Sequence, residues 1–239
     1  MNSLRDIVTA AHNIVFFGGA GVSTESGIPD FRSATGLYST ASGAYPPEYM
    51  VSHSCFIDHP EDFFAFYRTH LLFPHAEPNP AHRALAALEA AGKVSAVVTQ
   101  NIDGLHQAAG SQHVAELHGS VHRNYCTQCS AFYPMQFVLD AEAVPVCTRC
   151  GGIVKPDVVL YEEPLDEAVM SDAIQAISQA DALIIGGTSL NVYPAAGLIH
   201  YFGGKHLVLI NKSETAIDTG ATLTIREPIG KVLSEFIPN

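Results

Sequence analysis

Four of the five cysteines in this 239-residue sequence form two C-x-x-C pairs, with 17 residues between the pairs. Two pairs at this spacing are typical of a tetrahedral zinc site, whereas a thioredoxin-like redox centre needs only one pair. Because all four ligands would be thiolates, no coordination position is left open for a substrate. The spacing therefore predicts a structural zinc ion. Its ligands would be Cys126, Cys129, Cys147 and Cys150.

A glycine-rich turn, GGAG at 18–21, follows the apolar run IVFF. Dinucleotide-binding units begin with such a strand and turn, and bind the pyrophosphate at a helix N-terminus. Here Thr24 replaces the third glycine of the G-x-G-x-x-G pattern, and Gly-Ile-Pro at 27–29 would interrupt a helix within about two turns. We therefore expect a nucleotide-binding loop that continues as an extended stretch. Its side chains that could bind phosphate, cover a ring or stabilise charge are Ser23, Thr24, Asp30, Phe31 and Arg32.

Three short polar side chains directly follow the apolar run at 94–99. They are Gln100, Asn101 and Asp103, in the stretch TQNIDGLHQAAG. If the run is a strand, these residues lie at the carboxyl edge of the sheet, where open α/β sheets bind ligands. The same residues could also form a purely structural turn, because Asn and Asp hydrogen-bond their own backbone.

Three further motifs carry candidate functional groups. The motif ELHGS contains His118, and a histidine can accept a proton near neutral pH without special tuning. The stretch GGTSLNVYPAAG places Thr188 and Ser189 after another apolar run, where they could bind phosphate or ribose. Asn211 ends the run HLVLIN, a position from which an amide can reach a ribose hydroxyl. Each of these groups could equally belong to an ordinary turn.

Helices and strands alternate along most of the chain, which predicts a parallel sheet with right-handed crossovers. The predicted strands are Ile14 to Phe17, Val94 to Thr99, DALIIGG and HLVLIN. The predicted helices are AHRALAALEAA after Asn79-Pro80, Asp166 to Ala180, Pro194 to Tyr201 and Pro228 to Phe236.

Two long segments interrupt this alternation. Residues 34–78 are rich in Tyr and Phe, with PEDFFAFYRTHLLF as a predicted helix, and residues 119–157 contain the four paired cysteines. Connections this long are usually functional or separately folded. We expect both segments to pack together as a small lobe, with a ligand-binding cleft between it and the domain formed by 1–33, 79–118 and 158–239. The alternative is a pair of unrelated surface excursions.

Composition and charge fit a globular protein. Hydrophobic residues make up 47% of the chain, enough for a sizeable core, and no apolar run is long enough to span a membrane. Because the N-terminus lacks the features of a secretory signal, we expect a cytoplasmic protein. The net charge of −12 disfavours nucleic acid as the main partner and is compatible with a basic peptide. Cys55 is expected to be a small buried apolar residue and not a nucleophile.

Taken in order, the motifs resemble those of the sirtuins, NAD-dependent protein lysine deacylases, and in particular their short bacterial type. The resemblance rests on GAGVSTESGIPDFRS, TQNIDGLH, ELHGS, the two C-x-x-C pairs and GTSLNVYPA, and it spans residues 14–229. It implies a Rossmann-like parallel sheet with helices on both faces, plus a small lobe with a zinc ribbon and a helical insertion. It also implies one structural Zn²⁺ per chain and NAD as a co-substrate that is cleaved.

The resemblance assigns roles to residues of each motif. In sirtuins the stretch after the glycine turn is mobile cofactor-binding structure, so Phe31 would shield the nicotinamide pocket and Arg32 would lie near the phosphates of NAD. Ile102 and Asp103 would hold the carboxamide. The other implied NAD contacts are Ala20 and Thr24 from the glycine turn, Gln100 and Asn101 on the ribose side, and Thr188, Ser189, Asn211 and Ile229 around the adenosine half.

The resemblance also implies the reaction, in which Asn101 and His118 are the catalytic residues. The acyl-lysine oxygen would attack the anomeric carbon as nicotinamide leaves, giving an alkylimidate. His118 would then act as general base on a ribose hydroxyl, so that the acyl group transfers to the sugar. The products would be nicotinamide, free lysine and O-acyl-ADP-ribose.

Sirtuins bind the substrate backbone as an added strand between two edges of the protein. The matching residues are Val158, Val159, Leu160 and Tyr161 on one side and Leu190, Asn191 and Val192 on the other. Family members often show Phe-Gly-Glu where this chain has Tyr161-Glu162-Glu163, and a threonine where it has Gly18. The implied partners are acetylated protein lysines, bound by a monomer with no nucleic acid and no membrane.

The small lobe also bears on acyl specificity. Sirtuins that favour succinyl or malonyl lysine carry a tyrosine and an arginine three residues apart. Here Tyr67 is followed at that spacing by His70, with Arg68 offset. Because histidine is a poor substitute for a bidentate guanidinium, we expect a preference for acetyl or other uncharged acyl groups.

Three other functions remain open at this point. Mono-ADP-ribosyl transfer would share the NAD-cleaving half of the reaction. A zinc-ribbon binding module with a degenerate nucleotide fold would need no catalytic groups, yet none of the matched ones is missing. A hydride-transferring dehydrogenase is disfavoured by the interrupted helix after the glycine turn.

Overall fold

A computed structural model describes residues 3–33, 36–40, 45–215 and 218–238. In chain order the strands are β1 (Ile14–Gly18), β2 (Val94–Thr99), β3 (Val114–Glu116), β4 (Gly119–Cys126), β5 (Phe132–Pro134), β6 (Val154–Val158), β7 (Ala182–Gly186), β8 (His206–Ile210) and β9 (Leu223–Ile225). The α-helices are α1 (Leu4–Ala10), α2 (Leu37–Thr40), α3 (Pro47–Met50), α4 (His53–Asp58), α5 (Pro60–His70), α6 (Pro80–Ala90), α7 (Leu105–Ala108), α8 (Met135–Leu139), α9 (Glu167–Gln179) and α10 (Ile229–Leu233).

Six parallel strands form the main sheet in the order β3-β2-β1-β7-β8-β9. The chain runs outward from β1 to β3 in one direction and from β7 to β9 in the other, so the strand order reverses between β1 and β7. In doubly wound sheets the crevice at such a reversal is where ligands bind. All five residues of β1 and of β7 are buried, as expected for strands covered on both faces.

Helices cover both faces of this sheet, as the resemblance implies. On one face Ile7 of α1, Leu85 of α6 and Leu233 of α10 belong to one apolar cluster with the sheet. On the other face Ile177 of α9 and Leu198 pack against the opposite side of the strands. Each face therefore has its own core.

The helix boundaries follow local sequence signals. Asn79 caps α6 by accepting a hydrogen bond from Ala81 N, and the chain turns at Gly92 with φ of +70° after the helix ends. Asp166 caps α9 by accepting from the backbone N–H groups of Ala168 and Val169. The helices predicted at these positions are confirmed. The predicted helices at 194–201 and 228–236 form a 3₁₀ helix (Ala195–Tyr201) and α10 with a short 3₁₀ extension (Ser234–Phe236).

A second, antiparallel sheet has the order β5-β4-β6 and ends at the paired cysteines. An apolar cluster joins this sheet to the helices of the Tyr- and Phe-rich segment: Phe63 and Tyr67 of α5 pack with Val121 of β4 and Val158 of β6. Part of the predicted insertion at 34–78 lies outside the described residues. Within the part that is described, the two long segments pack together.

Several strands had no sequence signal of their own. The edge strands β3 and β9 are three residues long, which is too short to show a hydrophobic period. In β4 a register shift between Ser120 and Asn124 breaks the alternation of buried and exposed residues. Among the described residues, no helix combines the length and apolar character needed to cross a membrane.

One arginine joins the two sheets electrostatically. Arg123 on β4 donates to Glu116 on β3 and to Asp157 on β6, at 2.7 Å in each case. The Glu116 side chain is only 9% exposed, so water stabilises its charge little and the Arg123 cation stabilises it instead.

Arg123→Met is expected to lower the free energy of unfolding by about 1–3 kcal/mol, because it leaves the Glu116 carboxylate buried without its charged partner. Arg5→Met serves as the control, since Arg5 pairs with Glu235 on the open surface and such pairs contribute about 0–1 kcal/mol. Urea unfolding of both variants measures the difference. Equal losses would contradict a special role for the Arg123 bridge.

Candidate active site

A continuous cavity of about 1160 Å³ opens at the carboxyl edge of the main sheet, where the strand order reverses. Residues from every polar motif named above line it, although those motifs lie far apart in sequence. The predicted site residues on its wall are Ala20, Thr24, Phe31, Arg32, Gln100, Asn101, Ile102, Asp103, His118, Val158, Val159, Leu160, Tyr161, Thr188, Ser189, Asn191, Val192, Asn211 and Ile229. Leu190 instead lies in the apolar cluster beneath, 7% exposed.

The glycine turn contacts a second turn that follows β7. Gly21 N donates to the Gly187 carbonyl at 2.8 Å, and a Cβ atom on Gly21 would lie 2.8 Å from the Gly187 Cα. The two backbones therefore touch without room for side chains. Past this contact the chain makes two 3₁₀ turns, Ala20–Val22 and Thr24–Ser26, and no long helix, as the sequence predicts.

A buried hydrogen-bond chain fixes the acidic group of the site. Asn101 Nδ2 donates to Ser23 Oγ at 3.0 Å, and Ser23 Oγ donates to Asp103 Oδ2 at 2.6 Å. The other carboxylate oxygen of Asp103 accepts from Leu105 N at 2.9 Å. Both oxygens of Asp103 are thus held, and the carboxylate has a defined orientation toward the cavity.

Ser23 and Asn79 make long-range hydrogen bonds in this region that the sequence does not reveal. Ser23 is 1% exposed and joins two predicted site residues, although the sequence marks it only as one of several polar groups in the loop. Asn79, 4% exposed, donates through Nδ2 to the Val22 carbonyl at 2.7 Å and to Ser26 Oγ at 3.0 Å. The signal for Asn79 was its position before Pro80, which indicates a helix cap and says nothing about the loop.

The geometry of His118 defines its tautomer. Its Nδ1 lies 2.8 Å from the carbonyl oxygen of Gln100. A carbonyl can only accept, so Nδ1 carries the hydrogen and Nε2 has a free lone pair. Burial lowers the pKa of His118 below its usual 6.5, and the hydrogen bond to Gln100 opposes this effect only in part. The imidazole is therefore neutral at pH 7 and can act as a base.

The far end of the cavity is formed by the turns after β7 and β8. Thr188 Oγ1 accepts from Gln100 Nε2 at 3.1 Å and from Leu190 N at 3.2 Å, which joins the turns after β2 and β7. Asn211 Nδ2 donates to the Ser213 carbonyl at 3.0 Å. Ile229 is buried at the start of α10. This end is rich in hydroxyl and amide groups.

The segment from Val158 to Tyr161 forms one side of the cavity mouth. Val159 N donates to the His118 carbonyl at 3.0 Å, which places this segment beside the histidine. Tyr161 uses both of its backbone groups within the chain, donating to the Val51 carbonyl and accepting from His53 N. A substrate strand would therefore pair with other backbone groups of the segment.

The resemblance associates the positions of Tyr67 and His70 with the choice of acyl group, and neither residue supplies a guanidinium. Tyr67 is fully buried and stacks on Phe63, and its hydroxyl has no hydrogen-bond partner in the described structure. His70 lines the cavity. Arg68 instead donates to the Ala143 carbonyl at 2.7 Å.

The four paired cysteines form a compact cluster whose Sγ atoms all lie within 4.8 Å of one another. The Sγ atoms of Cys126 and Cys150 are 3.4 Å apart and those of Cys129 and Cys147 3.6 Å apart, far longer than the S–S bond of about 2.05 Å in a disulfide. Four thiolates at about 2.3 Å from a zinc ion would be about 3.8 Å apart. The cluster therefore fits a structural zinc site. It lies apart from the cavity, since no cysteine is among the described residues that line the cavity.

Cys55 is fully buried in the apolar cluster of the helical segment, as expected.

The reversal of strand order, the polar ring at the carboxyl edge and the four-thiol module together define a class. The protein is a doubly wound α/β protein with a polar cavity at the topological switch point, the place where such folds bind ligands.

Comparison with known proteins identifies the family. The model of the Sir2 family matches residues 19–194. An NAD-dependent protein deacetylase of Clostridium perfringens (strain 13 / Type A) is 63% identical over 239 residues, which cover 99% of this chain and 98% of the relative. A solved structure of Sir2 with a p53 peptide and NAD⁺ has a TM-score of 0.85 at 38% identity, covering 98% of this chain and 97% of that chain. A Sir2 variant with deacetylated p53 peptide and 3′-O-acetyl ADP ribose has a TM-score of 0.89, again at 38% identity and with the same coverage. The chain belongs to the Sir2 family.

Cys147→Ser is expected to abolish stoichiometric zinc binding and to lower the melting temperature, because structural zinc contributes directly to folding free energy. Cys55→Ser is the matched control, since Cys55 is also buried but lies outside the cluster. Metal content by mass spectrometry and thermal unfolding measure both effects. Retention of one zinc per chain in Cys147→Ser would contradict the assignment of this ligand.

Proposed function

We propose that this protein is an NAD-dependent protein lysine deacetylase, which cleaves NAD, releases nicotinamide and transfers the acetyl group to ADP-ribose. One observation carries the proposal. The neutral imidazole of His118, with its free Nε2, lines the same cavity as the buried Asn101–Ser23–Asp103 chain. A base and a fixed carboxylate in one cavity suit a reaction that first breaks a bond to nicotinamide and then removes a proton from ribose.

NAD would lie along the carboxyl edge of the sheet. The nicotinamide carboxamide would bind Asp103 and the Ile102 backbone, where the acidic group is already oriented. The remaining NAD contacts would be Ala20 and Thr24 in the glycine turn, Gln100 and Asn101 at the ribose, Phe31 and Arg32 in the following loop, and Thr188, Ser189, Asn211 and Ile229 at the adenosine half.

His118 would act after nicotinamide has left. A hydroxyl of the ribose would donate its proton to Nε2, while the Nδ1 hydrogen bond to the Gln100 carbonyl stabilises the imidazolium that forms. The backbone hydrogen bond from Val159 N to the His118 carbonyl would hold the base beside residues 158–161, which would bind the substrate peptide.

The substrate would be an acetylated lysine in a peptide segment. Residues 158–161 and 190–192 would flank its backbone, with the buried Leu190 contributing through its main chain. The net charge of −12 favours basic segments and disfavours nucleic acid as a partner. The lack of a guanidinium at the His70 position supports acetyl or other uncharged acyl groups.

The division of the chain and its setting are also proposals. Residues 1–33, 79–118 and 158–239 would form the NAD-binding domain, and 34–78 with 119–157 the small lobe; the two separate sheets support this division. The protein would act as a cytoplasmic monomer. Reduced cysteine pairs of this kind are typical of reducing compartments.

The decisive test is mass spectrometry of the products from an acetyl-lysine peptide with NAD. We expect equal amounts of deacetylated peptide, nicotinamide and O-acetyl-ADP-ribose, and much slower turnover of a succinyl-lysine peptide. His118→Ala should reduce deacetylation at least 100-fold, since a general base typically contributes about 10²–10⁴-fold. The His118→Ala variant should still exchange labelled nicotinamide into NAD, with a smaller loss of rate, because this exchange precedes the step that needs the base.

Other results of this product analysis would favour a different function or a different acyl specificity. Consumption of NAD with the peptide still acetylated would favour ADP-ribosyl transfer. Unchanged NAD with folded, zinc-loaded protein and several acyl peptides would favour a binding module without catalysis. Faster turnover of the succinyl peptide would show that the expectation of uncharged acyl groups is wrong.

The pH dependence should report on His118. The lowered pKa of His118 means that kcat/KM stays constant at neutral pH and falls only as the imidazole becomes protonated, so the acid limb should have its midpoint below pH 6.5. His113→Gln, which alters an exposed imidazole outside the cavity, should leave this limb unchanged. A midpoint above 6.5 would contradict the buried, neutral state of the base.

A further inference from the structure

A hydroxyl that the common Phe-Gly-Glu pattern lacks stands at the mouth of the cavity. Tyr161 Oη lies 2.8 Å from Tyr38 Oη, and Arg32 Nη2 donates to Tyr161 Oη at 3.4 Å. We call these three side chains the tyrosine clasp. All three line the cavity, and a phenylalanine at position 161 could make neither of these hydrogen bonds.

One half of the clasp is held firmly. The backbone of Tyr161 bonds to Val51 and His53, and it forms an isolated parallel bridge with Ser52. The next residue, Glu162, accepts from the backbone N and the hydroxyl of Ser54 through one carboxylate oxygen. The ring of Tyr161 therefore projects from a segment tied to the start of α4.

The other half belongs to the loop after the glycine turn. Tyr38 N donates to the Phe31 carbonyl at 2.9 Å, and the rings of Tyr38 and Phe31 meet edge to face with centroids 5.6 Å apart. The guanidinium of Arg32 lies over the Tyr38 ring, 5.5 Å from its centroid. Tyr38 thus contacts both loop residues that the proposed function assigns to NAD.

The Tyr38 hydroxyl is neutral under working conditions. Tyr38 is half-buried, and its burial, together with the hydrogen bond to Tyr161, raises its pKa well above the ordinary value. The phenol stays protonated at neutral pH, so the link persists as a hydrogen bond and not as an ion pair. Its strength should depend on geometry more than on pH.

We propose that Tyr161 and Tyr38 are positioning residues that couple acyl-peptide binding to NAD binding. The inference rests on the proposed function, because it takes residues 158–161 as the peptide edge and Phe31 with Arg32 as NAD contacts. A peptide bound along the segment restricts the Tyr161 ring, and the hydroxyl pair passes this restriction to Tyr38, Phe31 and Arg32. NAD then meets a loop that is already ordered and binds more tightly.

Binding of ADP-ribose measures this coupling without chemistry, since ADP-ribose has no nicotinamide to lose. Its Kd is determined by calorimetry with and without a saturating acetyl-lysine peptide. In the unmodified protein the peptide should tighten ADP-ribose binding by about threefold to tenfold, the range that one net hydrogen bond supplies. In Tyr161→Phe and in Tyr38→Phe the ratio should fall toward one.

A double-mutant cycle separates the clasp from general effects of either ring. If the two hydroxyls act as one link, the double variant should be no worse than either single variant. Tyr125→Phe is the matched control, because Tyr125 is as exposed as Tyr161, 38% in each case, but lies on β4 away from the cavity. This control should keep the full coupling ratio.

The possible failures are distinguishable. A full coupling ratio in Tyr161→Phe, a ratio of one in the unmodified protein, or additive losses in the double variant would each overturn the clasp and leave the proposed function standing. An unmodified protein that binds no ADP-ribose would overturn the proposed function, and the clasp with it.

Discussion

The contact between two glycine turns is the constraint on which the site depends. Gly21 and Gly187 bring the ends of β1 and β7 into backbone contact at the place where the strand order reverses. A side chain on either residue would push the turns apart. Their contact closes the floor of the cavity, so every other group of the site is arranged around it. The helix after the turn is interrupted for a local reason, because Gly27 adopts a φ of +84° and Pro29 has no N–H to donate.

Burial fixes the orientation of the polar side chains around the Gly21–Gly187 contact. Ser23 and Asn101 are nearly inaccessible to water, so each must satisfy its hydrogen-bonding groups within the protein. Asn101 donates to Ser23, and Ser23 in turn donates to the Asp103 carboxylate, where the chain of hydrogen bonds ends. The same rule acts on His118, whose Nδ1 donates to the Gln100 carbonyl and whose pKa is lowered by burial. Orientation and protonation state are thus both results of desolvation.

Much of this arrangement could be predicted from the sequence, for identifiable reasons. The strand and helix alternation, the helix starts after Asn79-Pro80 and near Asp166, and the cysteine spacing are local signals, and the structure agrees with them. Residues at strand ends could be placed on one edge because parallel strands share it. By contrast, Ser23 and the Tyr38–Tyr161 pair matter through partners more than 75 residues away in sequence. The burial of Leu190 likewise depends on an apolar cluster whose members, such as Val15 and Leu165, lie far away in sequence, and no local pattern reveals it.

Asn79 shows how a local role can hide a distant one. As a helix cap it needs only an acceptor, and aspartate or serine would serve α6 as well. Its amide nitrogen, however, also donates to the Val22 carbonyl and to Ser26. A carboxylate has no hydrogen to give, and it would face the Val22 carbonyl as a second acceptor. The usual freedom to exchange one good cap for another is therefore lost at this position, and thermostabilising designs that optimise helix ends should leave it unchanged.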